Sequence, residues 1–249
     1  MVFQAPEDIP AAYAANLSGD LATAYRLLHD FANLEAGDII IQNDALSSVG
    51  MAVIQMANQM GIKTVNIVSN DMADIDTKLR LLTNLGGTVN ITDAYFGSYE
   101  YNSLVEGTEA KLILVGGDTE ALADMARASG AGSTIVSYAG AKPSAEVAAF
   151  VTEEMKVKTT TFSIADWHKG CSVMDRAQMN ANVATMVRTG HLTLFYEEHD
   201  LDDFEHALDQ ARHSDSMRKV VLRMDFPDRL AEHDAKDEKD YEVFETDVI

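Results

Sequence analysis

The chain has 249 residues, with 19 Lys and Arg against 40 Asp and Glu, one cysteine and 47% hydrophobic residues. That length holds one large domain or two small ones, and a net charge of −21 repels phosphate backbones and anionic lipid, which excludes a nucleic-acid role. No apolar run approaches the ~18 residues that a membrane span requires, and the lone Cys171 rules out an internal disulfide or a thiolate metal cage.

In chain order, residues 9–32 read as helix, with Leu17, Leu21, Ala24 and Leu28 at helical spacing and Ser18 or Asp20 as caps along the way. After a break at 35–38, Ile39-Ile40-Ile41-Gln42 is too short for a helix and apolar without alternation. That is the pattern of a strand buried on both faces of a parallel sheet. A small, polar turn over 43–50 leads into a helix over 51–60, and Gly61 stands where a left-handed helix cap is wanted. Residues 64–68 are the next strand and complete a βαβ unit.

The pattern then repeats. A helix over 74–85 ends at Gly86-Gly87 and a strand covers 88–91; a less regular polar-aromatic stretch runs over 95–106. Residues 111–115 form a strand closed by Gly116-Gly117, followed by a helix over 119–129 and a strand over 134–138. Beyond Pro143 come a helix over 145–153, a Thr-rich strand over 158–164, a helix over 175–188 ended by Gly190 and a strand over 192–196. An amphipathic helix with Leu201, Phe204, Leu208 and Ala211 turned inward and a strand over 219–224 complete the series.

Strands and helices alternating at this spacing define an α/β fold, a Rossmann-like doubly wound parallel sheet with flanking helices. Residues 225–249 carry ten acids against three bases and read as an acidic tail. The histidines show no metal-ligand spacing, so no metal site is expected. Cys171 follows Gly170 near a helix start, as either a favoured thiolate or a tolerated, part-buried thiol.

In a dinucleotide fold the turn after the first strand brings backbone N–H groups and a helix N-terminus to the pyrophosphate. Here Asn43, Ser47, Ser48, Val49 and Gly50 are the candidate contacts, with Gly50 as the turn's one glycine. An α/β turn of small residues without a ligand fits the same residues. Asp71, about 20 residues beyond Gly50, either accepts a hydrogen bond from a ribose 2′-OH or is a solvated cap.

The segment Gln42-Asn43, then Ser47-Ser48-Val49-Gly50-Met51-Ala52-Val53-Ile54-Gln55, resembles the nucleotide turn of the mitochondrial trans-2-enoyl-thioester reductases, a branch of the medium-chain dehydrogenase/reductase superfamily. The likeness continues in Pro6-Glu7-Asp8-Ile9-Pro10, Thr23-Ala24-Tyr25-Arg26-Leu27-Leu28, Gly61 to Val68, Val115-Gly116-Gly117, Val136-Ser137-Tyr138-Ala139-Gly140 and Trp167, and spans residues 3–224. It implies an NADPH-binding Rossmann domain in an enzyme that reduces the 2,3 double bond of an acyl-CoA or acyl-carrier-protein thioester in mitochondrial fatty acid synthesis, as a homodimer and without metal.

The resemblance begins where the family's GroES-like catalytic domain hands over to the Rossmann domain, so the family's catalytic tyrosine carries over onto none of the chain's tyrosines. It implies three parts: a nucleotide-binding domain over 1–190, a returning segment of the GroES-like domain over 191–224, and the tail over 225–249. Two departures bear on cofactor choice. Ser48 stands where the family usually has Gly, which puts a β-carbon at a point of close backbone approach. Ser69, followed by Asn70 and Asp71, replaces the arginine expected for the 2′-phosphate, so NADPH preference would be lost; Asp71 accepting from a ribose 2′-OH would favour NADH, and the resemblance leaves NADPH, NADH or no cofactor open.

The expected role is therefore a non-catalytic structural or accessory subunit of a mitochondrial complex. The alternative is an active NAD(P)H-dependent reductase whose catalytic domain is supplied elsewhere. In either case a protein partner or self-association is expected to cover an exposed sheet edge.

Overall fold

The computed structural model describes residues 6–96, 98, 109–117, 122–154, 157–212 and 217–224, without the side chains of 129–131. The acidic tail, most of the 95–106 stretch and the start of the 119–129 helix lie outside the described residues.

Six parallel strands form the central sheet in the order β3-β2-β1-β4-β5-β6, where β1 is Ile39–Gln42, β2 Lys63–Val68, β3 Val89–Thr92, β4 Ala110–Val115, β5 Ser129–Ser137 and β6 Lys158–Thr161. This is the doubly wound arrangement expected: strands are added outward from β1 on one side, and the chain then crosses back to lay β4 on the other. The middle strands are apolar because both faces are covered. Ile40 and Ile41 of β1 and Leu112, Ile113, Leu114 and Val115 of β4 are all buried.

The first helical segment is broken rather than continuous. α1 (Ala11–Asn16) and α2 (Asp20–His29) are separated at Gly19, whose φ of −110° and ψ of −109° no helix accommodates, and no side chain caps α2. The Asn16 amide turns back to donate to the carbonyl of Ala12 at 2.8 Å, closing the first helix on itself. α2 then packs a fully buried face, Leu21, Ala24, Leu27 and Leu28, in the first unit's core.

The helix after β1, α3, runs over Ser48–Gln59 and starts three residues earlier than expected. The cause is Ser47, whose hydroxyl accepts from the Gly50 N–H at 3.0 Å and caps the helix there. Gly61 adopts φ +70° and Gly86 φ +98°, as the expected helix endings require. The further helices among the described residues of the first unit are α4 (Ile75–Asn84), α5 (Leu122–Arg127), α6 (Ala145–Ala149), which passes into a π-helical turn at Phe150–Glu154, α7 (Ile164–Gly170) and α8 (Val173–Arg188). α8 opens on a full capping box between Ser172 and Asp175. α7 lies where strand and then coil had been expected; Ser163 accepts from the Asp166 N–H and starts it.

The chain divides into two compact units between Phe195 and Tyr196. The strand expected over 192–196 is displaced accordingly. Leu192 and Leu194 are buried in the first unit, the Thr193 N–H donates to Gln55 Oε1 at 2.7 Å, and the Leu194 N–H donates to the Tyr13 hydroxyl at 3.1 Å. The second unit has two parallel strands, β7 (Tyr196–Asp200) and β8 (Lys219–Arg223), joined through a 3₁₀ turn (Leu201–Asp203) and α9 (Phe204–Arg212). Leu201, Phe204 and Leu208, expected to point inward, are 50%, 47% and 38% exposed. Among the described residues of this unit, two strands, one helix and a short turn offer too little surface to cover them. Among the described residues no helix is long and apolar enough to cross a membrane.

Candidate functional site

In a doubly wound sheet, ligands bind outside the carboxyl ends of the strands at the point where strand order reverses, here between β1 and β4. The two strand ends are tied together at that point. The Asn43 N–H donates to the carbonyl of Leu114 at 3.3 Å, and the Gly116 N–H donates to Asn43 Oδ1 at 2.7 Å. Asn43 is thus spent on joining the β1 and β4 loops. Gly116 admits no β-carbon, because it would come within 2.6 Å of the Tyr138 ring. Tyr138 is buried, with its hydroxyl near Ser47 but without a partner in good hydrogen-bond geometry. Burial first, and then the Asp44 carboxylate, push its phenol far above the ordinary range.

A cavity of about 400 Å³ opens beside this junction, over the ends of β1, β2 and β3. Asn43, Asp44, Ala45 and Leu46 form one wall, Ser69 and Met72 a second, and Asp93, Ala94 and Phe96 a third. Asp124 of α5 completes the acidic lining and is paired with Arg127 on its own helix. Among the described residues that line the cavity there is no lysine or arginine.

Asp44 has φ +53°, a left-handed conformation that Asp tolerates better than most side chains. Its carboxyl lies within about 3.8 Å of where a β-carbon on Gly117 would stand. Part of Asp44 reaches solvent, but the turn around it desolvates the carboxyl and raises its pKa, against the lowering effect of Ser47. Asp93 Oδ1 accepts from the Asn70 N–H at 3.0 Å and from the Ala94 N–H at 2.7 Å, which locks the loops after β2 and β3 to each other.

The residues singled out from the sequence are distributed unevenly around this cavity. Asn43 is in its wall, whereas Ser47, Ser48, Val49 and Gly50 form the cap and first turn of α3 behind it. The Gly50 N–H is taken up by Ser47, and the Ser48 hydroxyl is buried without a partner. A β-carbon on Gly50 would fall 2.5 Å from the Asp44 carbonyl oxygen and 2.8 Å from Ala45 Cα, so this glycine lets the turn fold across its own helix. Asp71 is exposed and outside the lining, where Ser69 and Asp93 stand instead. Asp93 carried no signal in the sequence beyond its place at the end of a short strand. Chemically, the cavity offers hydroxyl and carboxylate acceptors, which suit the hydroxyls of a ribose and repel a dianionic phosphate.

Elsewhere, Cys171 is half-buried, with Sγ 3.5 Å from an Arg176 guanidinium nitrogen and 3.8 Å from the His168 carbonyl oxygen. His199 and His206, whose spacing suggested no shared ligand, come together in the second unit with Asp203.

The strand order and the position of the crevice are those of a Rossmann-like α/β fold, the fold of NAD(P)-binding domains. No protein-family profile matches the chain. It is 34% identical over 227 residues to the mitochondrial enoyl-[acyl-carrier-protein] reductase of Xenopus tropicalis, covering 88% of this chain and 64% of that protein. With the human protein of the same name it shares 33% over 232 residues, covering 90% and 60%, and with that of Dictyostelium discoideum 29% over 225 residues, covering 89% and 63%. The chain is therefore a homologue of the mitochondrial enoyl-[acyl-carrier-protein] reductases, and it spans 60 to 64% of the length of these relatives.

Among solved structures, the Etr1p complex with NADP and crotonyl-CoA superposes with a TM-score of 0.72 at 19% identity, over 82% of this chain and 60% of that one. The mitochondrial 2-enoyl thioester reductase Etr1p/Etr2p heterodimer of Candida tropicalis gives 0.72 at 19%, over 84% and 61%, and the CurK enoyl reductase 0.72 at 17%, over 90% and 65%. At these identities the structures show the shared fold.

Proposed function

We propose that this chain is the nucleotide-binding part of an enoyl-thioester-reductase-like protein of mitochondria, and that it serves as a structural or accessory subunit rather than catalysing by itself. Its crevice receives an adenine dinucleotide without a 2′-phosphate, NADH in preference to NADPH. The observation that carries this reading is the cavity at the strand-order reversal, lined by Asp44, Asp93 and Asp124 and by no lysine or arginine among the described residues. A 2′-phosphate placed there would meet carboxylates and no cation, whereas a ribose hydroxyl would find Ser69 and Asp93 as acceptors. The exposed apolar residues Leu201, Phe204 and Leu208 support association with a protein partner or a second copy.

Fluorescence titration with NADH and NADPH, followed by addition of crotonyl-CoA, tests the proposal. NADH should bind at least about tenfold more tightly than NADPH, a difference of roughly 1.4 kcal/mol. The isolated chain should not oxidise either cofactor, and native separation should recover it in a larger assembly. Steady NADPH oxidation on addition of crotonyl-CoA would overturn the proposal.

That outcome would instead establish a second reading, an active NAD(P)H-dependent trans-2-enoyl-CoA or acyl-carrier-protein reductase whose catalytic groups lie on another part of the protein or on a partner chain. The preformed crevice favours this alternative, since the Asn43–Gly116 tie holds the two loops in place ahead of any ligand.

A further inference from the structure

The second unit is poorly supported by apolar packing. From Tyr196 to Met224, Ala207 is the only buried hydrophobic residue among those described. Units this small hold a fixed shape when something other than a core staples them, commonly a metal ion or a disulfide. Cys171, the chain's one cysteine, lies in the first unit, so no disulfide is available inside the second.

At the junction of β7 and α9, three side chains converge. His199 comes from the strand, Asp203 from the 3₁₀ turn and His206 from the first turn of the helix, and one ligand atom from each lies within 4.8 Å of the other two. His199 Nδ1 is 3.6 Å from Asp203 Oδ2. Two ligands of a tetrahedral zinc ion, each at about 2.0 to 2.1 Å, stand about 3.3 Å apart, so this pair is already near the required spacing. The rings of His199 and His206 are 5.5 Å apart at 70°, which leaves room for an ion between their nitrogens without a stacking contact.

The far side of His199 carries the strongest indication. Its side chain is only 8% exposed, and Nε2 is buried and makes no hydrogen bond, with Glu197 Oε1 3.1 Å away but out of hydrogen-bond line. A metal-bound imidazole characteristically directs its other nitrogen at a carboxylate, which fixes the tautomer and makes the ligating nitrogen more basic. Glu197 lies within reach of that position, on the same strand two residues before His199 and on the same face of β7, so a small rotation of the ring on binding an ion would bring the unpaired Nε2 into line with its carboxylate.

We infer that His199 through Nδ1, Asp203 and His206 bind a zinc-class divalent ion, that Glu197 orients His199, and that the ion clips β7 to α9. Two imidazoles and a carboxylate are zinc ligands, and with Asp203 57% exposed the fourth position is open to water. The site is separate from the nucleotide crevice and independent of the function proposed above.

The test uses the full chain without an affinity tag, stripped with a chelator and titrated with Zn²⁺ by calorimetry and with Co²⁺ by visible absorption. One equivalent should bind, the Co²⁺ form should show the intense d–d bands of tetrahedral coordination, and zinc should raise the melting temperature. His206→Gln and Asp203→Asn, both at exposed positions, should each weaken binding at least tenfold, and Glu197→Gln by about tenfold to a hundredfold. The zinc-free variants should match zinc-free wild type in circular dichroism, and His191→Gln, at an exposed histidine outside the cluster, should leave the titration unchanged. Failure of wild type to bind an equivalent, or binding that survives both His206→Gln and Asp203→Asn, would overturn the inference.

Discussion

Gln42 and Asn66 stand opposite each other on adjacent parallel strands, and the Gln42 amide donates both to Asn66 Oδ1 at 2.8 Å and to the Gly50 carbonyl at 3.0 Å. The relay continues one strand further. Asn66 Nδ2 donates to Asn90 Oδ1 at 2.8 Å, and Asn90 in turn donates to the Thr83 hydroxyl at 2.9 Å. A ladder of amides therefore crosses β1, β2 and β3 and ends on the first turn of α3, fixing the helix that backs the crevice. Gln42 and Asn66 are fully buried.

Asn66 is the middle rung, so its replacement does more damage than loss of an end. Asn66→Leu takes a partner from three groups, the Gln42 amide, which keeps only the Gly50 carbonyl, the Thr64 hydroxyl and Asn90 Oδ1, at a cost of about 1 to 3 kcal/mol for each group left unsatisfied. Gln42→Met takes a partner from two groups, Asn66 Oδ1 and the Gly50 carbonyl, but also removes the buried, unpaired Gln42 Oε1, so it should cost less. Urea denaturation of the two variants should give that order; equal losses would show that the ladder does not act as a relay.

Gly50→Ala sets two effects against each other. Inside a helix, Ala is favoured over Gly by about 1 kcal/mol. Here the new methyl would lie 2.5 Å from a backbone oxygen and 2.8 Å from a backbone carbon of the preceding turn, and neither atom belongs to a flexible side chain. Overpacking of this kind costs about 1 to 3 kcal/mol, so the net change should be destabilising and should displace the loop over 43–46. A thermal melt at or above that of wild type would show that the turn yields freely.

Asp44 opposes its own ionisation. Its folded-state pKa lies above the unfolded value of about 3.9 because the turn desolvates it. Ionised Asp44 therefore destabilises the fold at neutral pH, and this cost disappears as pH falls through the raised value towards the unfolded one, where the group is protonated in both states. Asn tolerates the φ of +53° equally well, so Asp44→Asn should stabilise the protein at pH 7, and the difference should shrink as pH falls through the raised pKa of Asp44. Removing the charge should also tighten NADH and NADPH, by up to about tenfold, or 1.4 kcal/mol. Parallel melts across pH, with fluorescence titrations at neutral pH, measure both effects.

The sheet was legible because Ile39 to Ile41 of β1 and Leu112 to Val115 of β4 are short unbroken apolar runs and β2 is rich in β-branched residues, as expected of strands covered on both faces. Helix boundaries were less so. Gly19 looks like any small residue inside an amphipathic pattern until its φ and ψ are known, and Ser47 began α3 three residues before the apolar periodicity did. The turn over 43–50 was recognisable from its small residues, but which of them face the cavity depends on how the turn folds across Gly50. Asp93 and Asp124 were invisible for another reason. They come from segments far apart in the chain that only the strand order brings to the same edge. Asp71 drew notice by its distance from Gly50, and the loop after β2 turns Ser69, not Asp71, to the cavity.

Cofactor choice rests on the end of β2, where Ser69 faces the cavity beside Asp93. Ser69→Arg would supply a cation for a 2′-phosphate, and a charge-assisted hydrogen bond contributes about 1.5 to 3 kcal/mol, roughly tenfold to a hundredfold in affinity. Asp93 limits that gain. Its Oδ1 is occupied by the N–H groups of Asn70 and Ala94, so its other oxygen is left to capture the new guanidinium. Ser69→Arg alone should thus improve NADPH binding only a fewfold, whereas Ser69→Arg with Asp93→Asn should realise most of the roughly tenfold to hundredfold gain, because Asn keeps the loop-locking acceptor but loses the charge. NADH affinity should fall a fewfold in both variants, because arginine in place of Ser69 removes one of the acceptors open to the ribose hydroxyl. Fluorescence titration of both cofactors against wild type, single and double variant measures the change, and an unaltered NADPH to NADH ratio in the double variant would place the ribose somewhere other than this cavity.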